Sequence, residues 1–322
     1  MSNSPDPAIH PAEAFFPERS AGSLSPLRSI VCASDLSEGA DEAIRQAGIL
    51  SQAYGASLEI LYVTSSPDGG HPALAHLRRH PRARAALEAA RERARKELTS
   101  RVASLTGASS NEAKVLVAEG VPYAAIVQRA DEVGADLIVV GSEGATGLGM
   151  QHLGEVAVTV VRHAHRSVLV ARPGPGSGKV LAATDFSDPS LPALTSAAEE
   201  ARRRGASLTV VHNVDPELDA FGPEVVATLL QLFSHDFMAE VGRGARDRLL
   251  DVLRRLGVEG EAVITHGAAS ASILRLAEDL PADLVVVGNS GGTGLAGVLV
   301  GSVAERVVRW APCSVLVVRR RR

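Results

Sequence analysis

The stretch from Gly288 to Ser302 carries the clearest chemistry in this chain. It reads Gly-Asn-Ser-Gly-Gly-Thr-Gly-Leu-Ala-Gly-Val-Leu-Val-Gly-Ser. Gly288 and Gly291 are separated by two residues, Gly291 and Gly301 by nine, and a hydroxyl follows at Ser302. Glycines let backbone N–H groups close on phosphate oxygens, and a helix N-terminus adds a favourable dipole. Anion binding is the chemistry this pattern supports. No Gly-Lys-Ser/Thr is present, so the loop is not a Walker A loop. Nor does its glycine spacing match a dinucleotide fingerprint.

A second loop repeats the pattern at Gly141, Gly144 and Gly154, but Glu155 stands where Ser302 stands in the other copy. A carboxylate at a helix N-terminus satisfies the dipole by itself and competes with a phosphate for the same N–H donors. Glu143 adds another negative charge. The Gly288–Ser302 loop is therefore expected to hold an anion, and the Gly141–Glu155 loop to hold one weakly or not at all.

The elements needed to position these loops recur along the chain. Asp283 bounds the apolar run Leu284-Val285-Val286-Val287, which reads as a buried parallel strand, and Val303 to Trp310 reads as a helix. Ile30 to Ser37 matches Val180 to Ser187, with Asp35 and Asp185 standing 150 residues apart. Gly55-Ala56-Ser57-Leu58 recurs as Gly205-Ala206-Ser207-Leu208 at the same spacing. Ala135 to Gly141 recurs as Ala282 to Gly288, 147 residues on. A near-constant offset over several elements marks a tandem duplication.

The first copy reads as strand Ser29–Ser34, helix Glu38–Tyr54, strand Leu58–Val63 and a long helix from Ala83 to Leu105. Strand Lys114–Ala118, helix Pro122–Val133, strand Leu137–Gly141, a helix from Glu155 and strand Ser167–Ala171 follow. The second copy keeps the order, with Glu224–Leu256 as its long helical region and Gly242 and Gly244 expected to break or weaken it. Alternating strands and helices imply a parallel sheet covered on both faces, with ligands at the carboxyl ends of its strands. Residues 1–25, rich in Pro, Ser and Ala, read as a disordered leader. The expected division is 26–172 for the first domain, 173–178 for a linker and 179–322 for the second domain.

Composition narrows the function classes. Hydrophobic residues make up 45% of the chain and aromatics only 3%, so the cores are aliphatic. A net charge of −4 gives no global reason to expect nucleic acid or an anionic membrane as partner. The two cysteines, Cys32 and Cys313, lie in apolar runs and read as structural thiols of a reducing compartment. No membrane span or signal peptide is evident, and a cytoplasmic location is expected.

Other constellations read as structural. His71, His76, His80, His163 and His165 lack a convincing metal-ligand set, although His76 and His80 have i,i+4 spacing. Arg78, Arg79, Arg82, Arg84, Arg91, Arg93 and Arg95 interleave with Glu88, Glu92 and Glu97 and read as a helix surface with i,i+4 ion pairs. The tail Arg319–Arg322 reads as a solvated terminus. No Gly-x-Ser-x-Gly elbow is present.

From about Leu27 to Arg319 the sequence resembles the universal stress protein family, whose ATP-binding members use Gly-x2-Gly-x9-Gly-Ser/Thr. The resemblance rests on the glycine loop, Ala-Thr-Asp-Phe-Ser at 183–187, Asp-Leu-Val-Val-Val-Gly, Gly-Ser-Val-Ala-Glu and the terminal Ala311 to Val318. It implies two tandem doubly wound, Rossmann-like α/β domains, each a five-stranded parallel sheet flanked by helices. It also implies ATP, with Mg²⁺, as ligand of the second domain. Ala183, Thr184 and Asp185 would border adenine and ribose. Val287, Gly288, Ser290, Gly291, Gly301, Ser302 and Val303 would surround ribose and phosphates. Asn213 would meet the adenine edge, where the family more usually has Val, and Ser290 stands where many relatives carry His. Asp185 has two readings: a ribose or divalent-cation contact, or, like Ser187, a cap for the next helix.

Three functions remain open from sequence. The first is an ATP-binding stress-response regulatory module that signals through protein partners. The second is an interaction or scaffold protein of the same fold without nucleotide. The third is a slow ATP hydrolase, since no Walker lysine, arginine finger in the motif or evident water-activating base accompanies the loop. Relatives pair through the last strand of the unit. The two halves are thus expected to form an intramolecular pseudo-dimer, and two chains can then associate as a homodimer.

Overall fold

The structure is a computed structural model that describes residues 27–64, 81–107, 113–142, 154–214, 235–290 and 300–320. In the first half these form β1 (Ser29–Ser34), α1 (Asp41–Tyr54), β2 (Ser57–Thr64), α2 (Pro81–Thr106), β3 (Ala113–Glu119), α3 (Pro122–Glu132), β4 (Leu137–Gly141), α4 (Glu155–His163) and β5 (Ser167–Ala171). The second half contains β6 (Lys179–Ala183), α5 (Leu191–Arg204), β7 (Ser207–Asn213), α6 (His235–Leu256), β8 (Glu261–Thr265), α7 (Ala269–Asp279), β9 (Leu284–Gly288), α8 (Ser302–Trp310) and β10 (Ser314–Val318).

Runs such as Leu137-Ile138-Val139-Val140 and Val315-Leu316-Val317-Val318 are apolar on both faces because both faces are covered. The ten strands form one sheet in the order β3-β2-β1-β4-β5-β10-β9-β6-β7-β8. Every pairing is parallel except the central one, where β5 and β10 run antiparallel. Leu169 faces Leu316 there, and these two residues are counterparts under the 147-residue offset. A local two-fold axis therefore passes through this pair, and the strand that would be an edge in either half becomes central.

Each face of the sheet carries one core that crosses from half to half. Ile30, Ile44, Leu98, Leu169, Leu194, Leu249 and Leu316 belong to one, and Ile126, Val160, Ile273, Val307 and Val315 to the other. Two arginines, Arg172 buried and Arg319 half-buried, reinforce the seam reciprocally. Arg172 of the first half donates from Nη2 to the Val308 carbonyl at 2.8 Å, in the last turn of α8. Arg319 of the second donates to the Val161 carbonyl at 2.9 Å, in the last turn of α4. A guanidinium suits these sites because the last carbonyls of a helix lack intrahelical donors. Burial pushes Arg319 down to about 10.

The structure departs from the sequence expectations in several places. Residues Glu38–Ala40 form a 3₁₀ turn before α1, with the Ser37 hydroxyl accepting from the Ala40 N–H. Helix α6 runs unbroken through Gly242 and Gly244, carried by burial of Leu249 and Leu253 on its inner face. The earlier part of the expected 224–256 helical region, up to residue 234, lies outside the described residues. So do the leader up to residue 26, His71, His76, His80, Arg78 and Arg79. On α2 the in-helix pairs are Lys96–Glu92 at 3.9 Å and Arg101–Glu97 at 4.0 Å. Its closer pairs are tertiary, Arg91 with Glu119 and Arg101 with Asp41. Cys32 and Cys313 are buried and unpaired, and burial raises both thiols, Cys313 to about 12. Among the described residues no helix is long and apolar enough to cross a membrane.

Candidate functional site

The switch point of the second half lies between β6 and β9. These strands are neighbours, with Ala182 opposite Val286, yet the chain leaves β6 for β7 on one side and β9 for β10 on the other. Loops that diverge at the carboxyl ends of two adjacent strands leave a crevice between them. Ala183, Val287 and Gly288 sit at those ends.

Two local contacts bring the surrounding segments together. The Gly301 N–H donates to the Asn289 carbonyl at 2.7 Å, which draws the start of α8 to the end of β9. The turn at Pro189 and Ser190 crosses over Gly288. A Cβ at position 288 would lie 3.0 Å from both the Pro189 carbonyl oxygen and the Ser190 Cα, so any side chain there requires the turn to give way by a few tenths of an ångström. Ser290 is half-buried beside this clasp, and Gly291 lies outside the described residues.

Helix α8 begins with glycine as its N-cap, and no side chain caps it. Ser302 and Val303 are exposed at its first turn. Glycine provides no oxygen, so the first N–H groups of α8 point outward without a side-chain acceptor from the cap. An anion is the natural complement of that arrangement, with the Ser302 hydroxyl as an additional donor.

On the other side of the crevice, Thr184 is committed internally. Its hydroxyl is 2.9 Å from the Ser190 hydroxyl and accepts from the Phe186 N–H at 3.0 Å. Its carbonyl meets His212 Nδ1 at 2.9 Å. Its N–H donates to the Val211 carbonyl at 3.1 Å, so the hydroxyl, carbonyl and N–H of Thr184 all serve the local frame. Asp185 is exposed, and its Oδ1 accepts from the Ser187 N–H at 3.0 Å and from the Ser187 hydroxyl. The carboxylate holds the turn before α5 while remaining at the mouth of the crevice.

Phe186 follows with φ of 64°, a conformation that non-glycine residues rarely take. Its first-half counterpart Leu36 has φ of 66°, so the strain belongs to the repeat. The kink turns the Phe186 ring onto His212, with ring centroids 4.0 Å apart, while the Arg248 guanidinium lies 4.7 Å from the Phe186 centroid. Burial lowers the His212 pKa, against the opposing hydrogen bond to Thr184. Asn213 points away towards β8 and α7, donating to Thr265 at 3.3 Å and Ser272 at 3.4 Å. The sequence motif contains Phe186, but nothing in its spacing marks the Phe186–His212–Arg248 stack, because the three residues come from separate elements.

The first half repeats the frame with different chemistry. Gly154 donates to the Ser142 carbonyl at 2.8 Å, matching Gly301 and Asn289, and Gly154 is likewise an N-cap without a side-chain bond. Glu155, exposed, then occupies the position of Ser302. Tyr62 and Leu36 replace His212 and Phe186. Glu143 and Gly144 lie outside the described residues. Among the described residues no three His, Cys, Asp or Glu side chains group as metal ligands. His165 pairs with Asp131 at 3.0 Å and His163 packs on Tyr123.

A sequence model of the universal stress protein family matches residues 26–172 and again 176–319. A universal stress protein of Methanocaldococcus jannaschii is 35% identical over 147 residues, 44% of this chain and 82% of its own. Another, from Mycobacterium tuberculosis, is 31% identical over 208 residues, 62% of this chain and 67% of its own. A crystal structure of a universal stress protein from Archaeoglobus fulgidus covers 91% of this chain and 96% of its own, with a TM-score of 0.59. At 19% identity, that likeness concerns the fold.

Proposed function

The chain belongs to the universal stress protein family, with the family matched twice in tandem, and on that premise we propose that its second half binds an adenine nucleotide. The protein is then a nucleotide-responsive regulatory module of the stress response, divided into domains at 26–172 and 179–322 with 173–178 between them. The observation that carries this reading is the start of α8. A glycine N-cap, no side-chain cap, and an exposed Ser302 stand beside the β6–β9 switch point.

The residues fit ATP with Mg²⁺. The amides of Ser302 and Val303 and the Ser302 hydroxyl receive phosphate, and the backbone of Gly288, Ser290 and Gly301 frames it. Ala183, Thr184 and Val287 border the ribose and base, with Asn213 setting the far wall through Thr265 and Ser272. Asp185 is the carboxylate available to a phosphate-bound Mg²⁺, which needs few protein ligands because phosphates and water supply the rest. The motif brings no lysine or general base to the phosphates, so the reading is binding rather than turnover. Glu155 makes the first half a structural partner, and the exposed helix starts leave room for protein partners and for a homodimer.

Native mass spectrometry of the full chain incubated with MgATP tests the reading. One nucleotide per chain is expected. A spectrum with no adduct at any concentration would overturn it in favour of an interaction protein that binds no nucleotide.

A further inference from the structure

Helix α4 of the first half and helix α8 of the second lie side by side across the local two-fold axis. A bidentate ion pair joins them. Arg162, near the end of α4, donates from Nε to one Glu305 oxygen at 3.2 Å and from Nη2 to the other at 2.5 Å. Glu305 belongs to the first turn of α8, where its N–H donates to the Gly301 carbonyl. Helical side chains lean towards the N-terminus, so the Glu305 carboxylate and its arginine lie over the turn that begins at Ser302. Hydrogen bonding from Arg162 holds Glu305 below the usual carboxylate range, against the effect of burial. Arg309 at 3.7 Å from Glu305, and Glu155 in the field of Arg162, complete the charged set acting on the pair.

The arrangement exists on one side of the two-fold only. By the 147-residue offset the counterpart of Glu305 is Val158, which is buried, and the counterpart of Arg162 is Arg309, which turns to Glu305 of its own helix. The duplicated frame thus places a cross-half arginine at the helix start that bears Ser302 and none at the helix start that bears Glu155.

We propose that Arg162, contributed by the first half, is a specificity-determining residue of the second-half nucleotide site, favouring ligands with more phosphates. The proposal rests on the reading of that site given above. An acid in the first turn of α8 repels a phosphate chain arriving at the same turn. Arg162 neutralises the acid and leaves one exposed face of its guanidinium, since its side chain is 48% exposed. The benefit grows with ligand charge, so ATP gains more than AMP. In this account the first half keeps its fold because it completes the charge balance of the second.

The test is calorimetric titration of MgATP and of AMP into the full chain, for wild type, Arg162→Ala, Arg162→Lys, Glu305→Gln and the double variant Arg162→Ala with Glu305→Gln. Arg162→Ala is expected to raise the Kd for ATP about ten-fold and that for AMP less than about three-fold. Arg162→Lys recovers most of the loss, the double variant returns close to wild type, and the ATP effect shrinks in high salt. Equal weakening of ATP and AMP, or no change in either with wild type still binding both, overturns the role of Arg162. A wild-type protein that binds neither nucleotide overturns the nucleotide reading itself, and this inference with it. Thermal midpoints of the variants identify any that lose their fold.

Discussion

Replacing Gly288 by alanine puts the frame of the site under a measurable load. The added Cβ would meet the Pro189 carbonyl oxygen and the Ser190 Cα at 3.0 Å, whereas ordinary contact begins near 3.4 Å. Something must move by about 0.4 Å. Strand β9 is hydrogen-bonded on both sides, to β6 and β10, so the 187–190 turn has to yield. That turn is held by Ser190, whose hydroxyl is bonded to Thr184 and to the Ser187 carbonyl, each at 2.9 Å. Overpacking of this kind costs about 1–3 kcal/mol. For a unit of this size the thermal midpoint falls by about 2–4 °C per kcal/mol. Far-UV circular dichroism during thermal and urea unfolding measures the loss, and titration with MgATP measures the accompanying loss of affinity. An unchanged midpoint together with unchanged affinity would refute the argument that the turn and the strand end are in rigid contact.

Gly244→Ala is expected to act in the opposite direction. It is exposed within α6 and a Cβ there meets nothing within 4 Å, so the variant gains about 1 kcal/mol in urea unfolding. Glu200 is buried. Its burial acts to raise its pKa, but Arg203 and Arg204 outweigh this and lower it, while Tyr54 of the first half bonds to it at 3.2 Å. Glu200→Gln should lose about 3 kcal/mol at neutral pH. Because the folded-state pKa is depressed, that stability is present above the unfolded value near 4.5. The gap to wild type should close as pH falls through the lower folded value, which acid titration of both proteins reads directly. His212, whose folded pKa is lowered, should titrate below 6.5 in an NMR pH series and donate from Nδ1 to Thr184. Ring signals that titrate above 6.5 would contradict its burial.

Much of this frame is legible in the sequence because both faces of each central strand are buried. Leu137–Gly141 and Leu284–Gly288 are apolar without interruption, and the bounds of β4 and β5 fall where the residue pattern places them. The duplication is legible for the same reason, since equal burial selects similar residues at Asp35 and Asp185, or Gly141 and Gly288. Features set by tertiary contact are not. Helix α6 continues through Gly242 and Gly244 because Leu249 and Leu253 anchor it in the core, which outweighs local propensity. Arg162 and Glu305 are 143 residues apart and meet only because β5 and β10 pair. Likewise, the Phe186 ring reaches His212 through a positive φ that no periodicity announces.

The central claim is that one half of the duplicated chain retains a nucleotide site and the other has lost it at a single helix position. Isothermal titration of MgATP into the full chain, beside the Ser302→Glu variant that copies Glu155, tests this most directly. One site per chain in the wild type and none in the variant is the predicted result. Two sites in the wild type, or one site that survives Ser302→Glu, would contradict it.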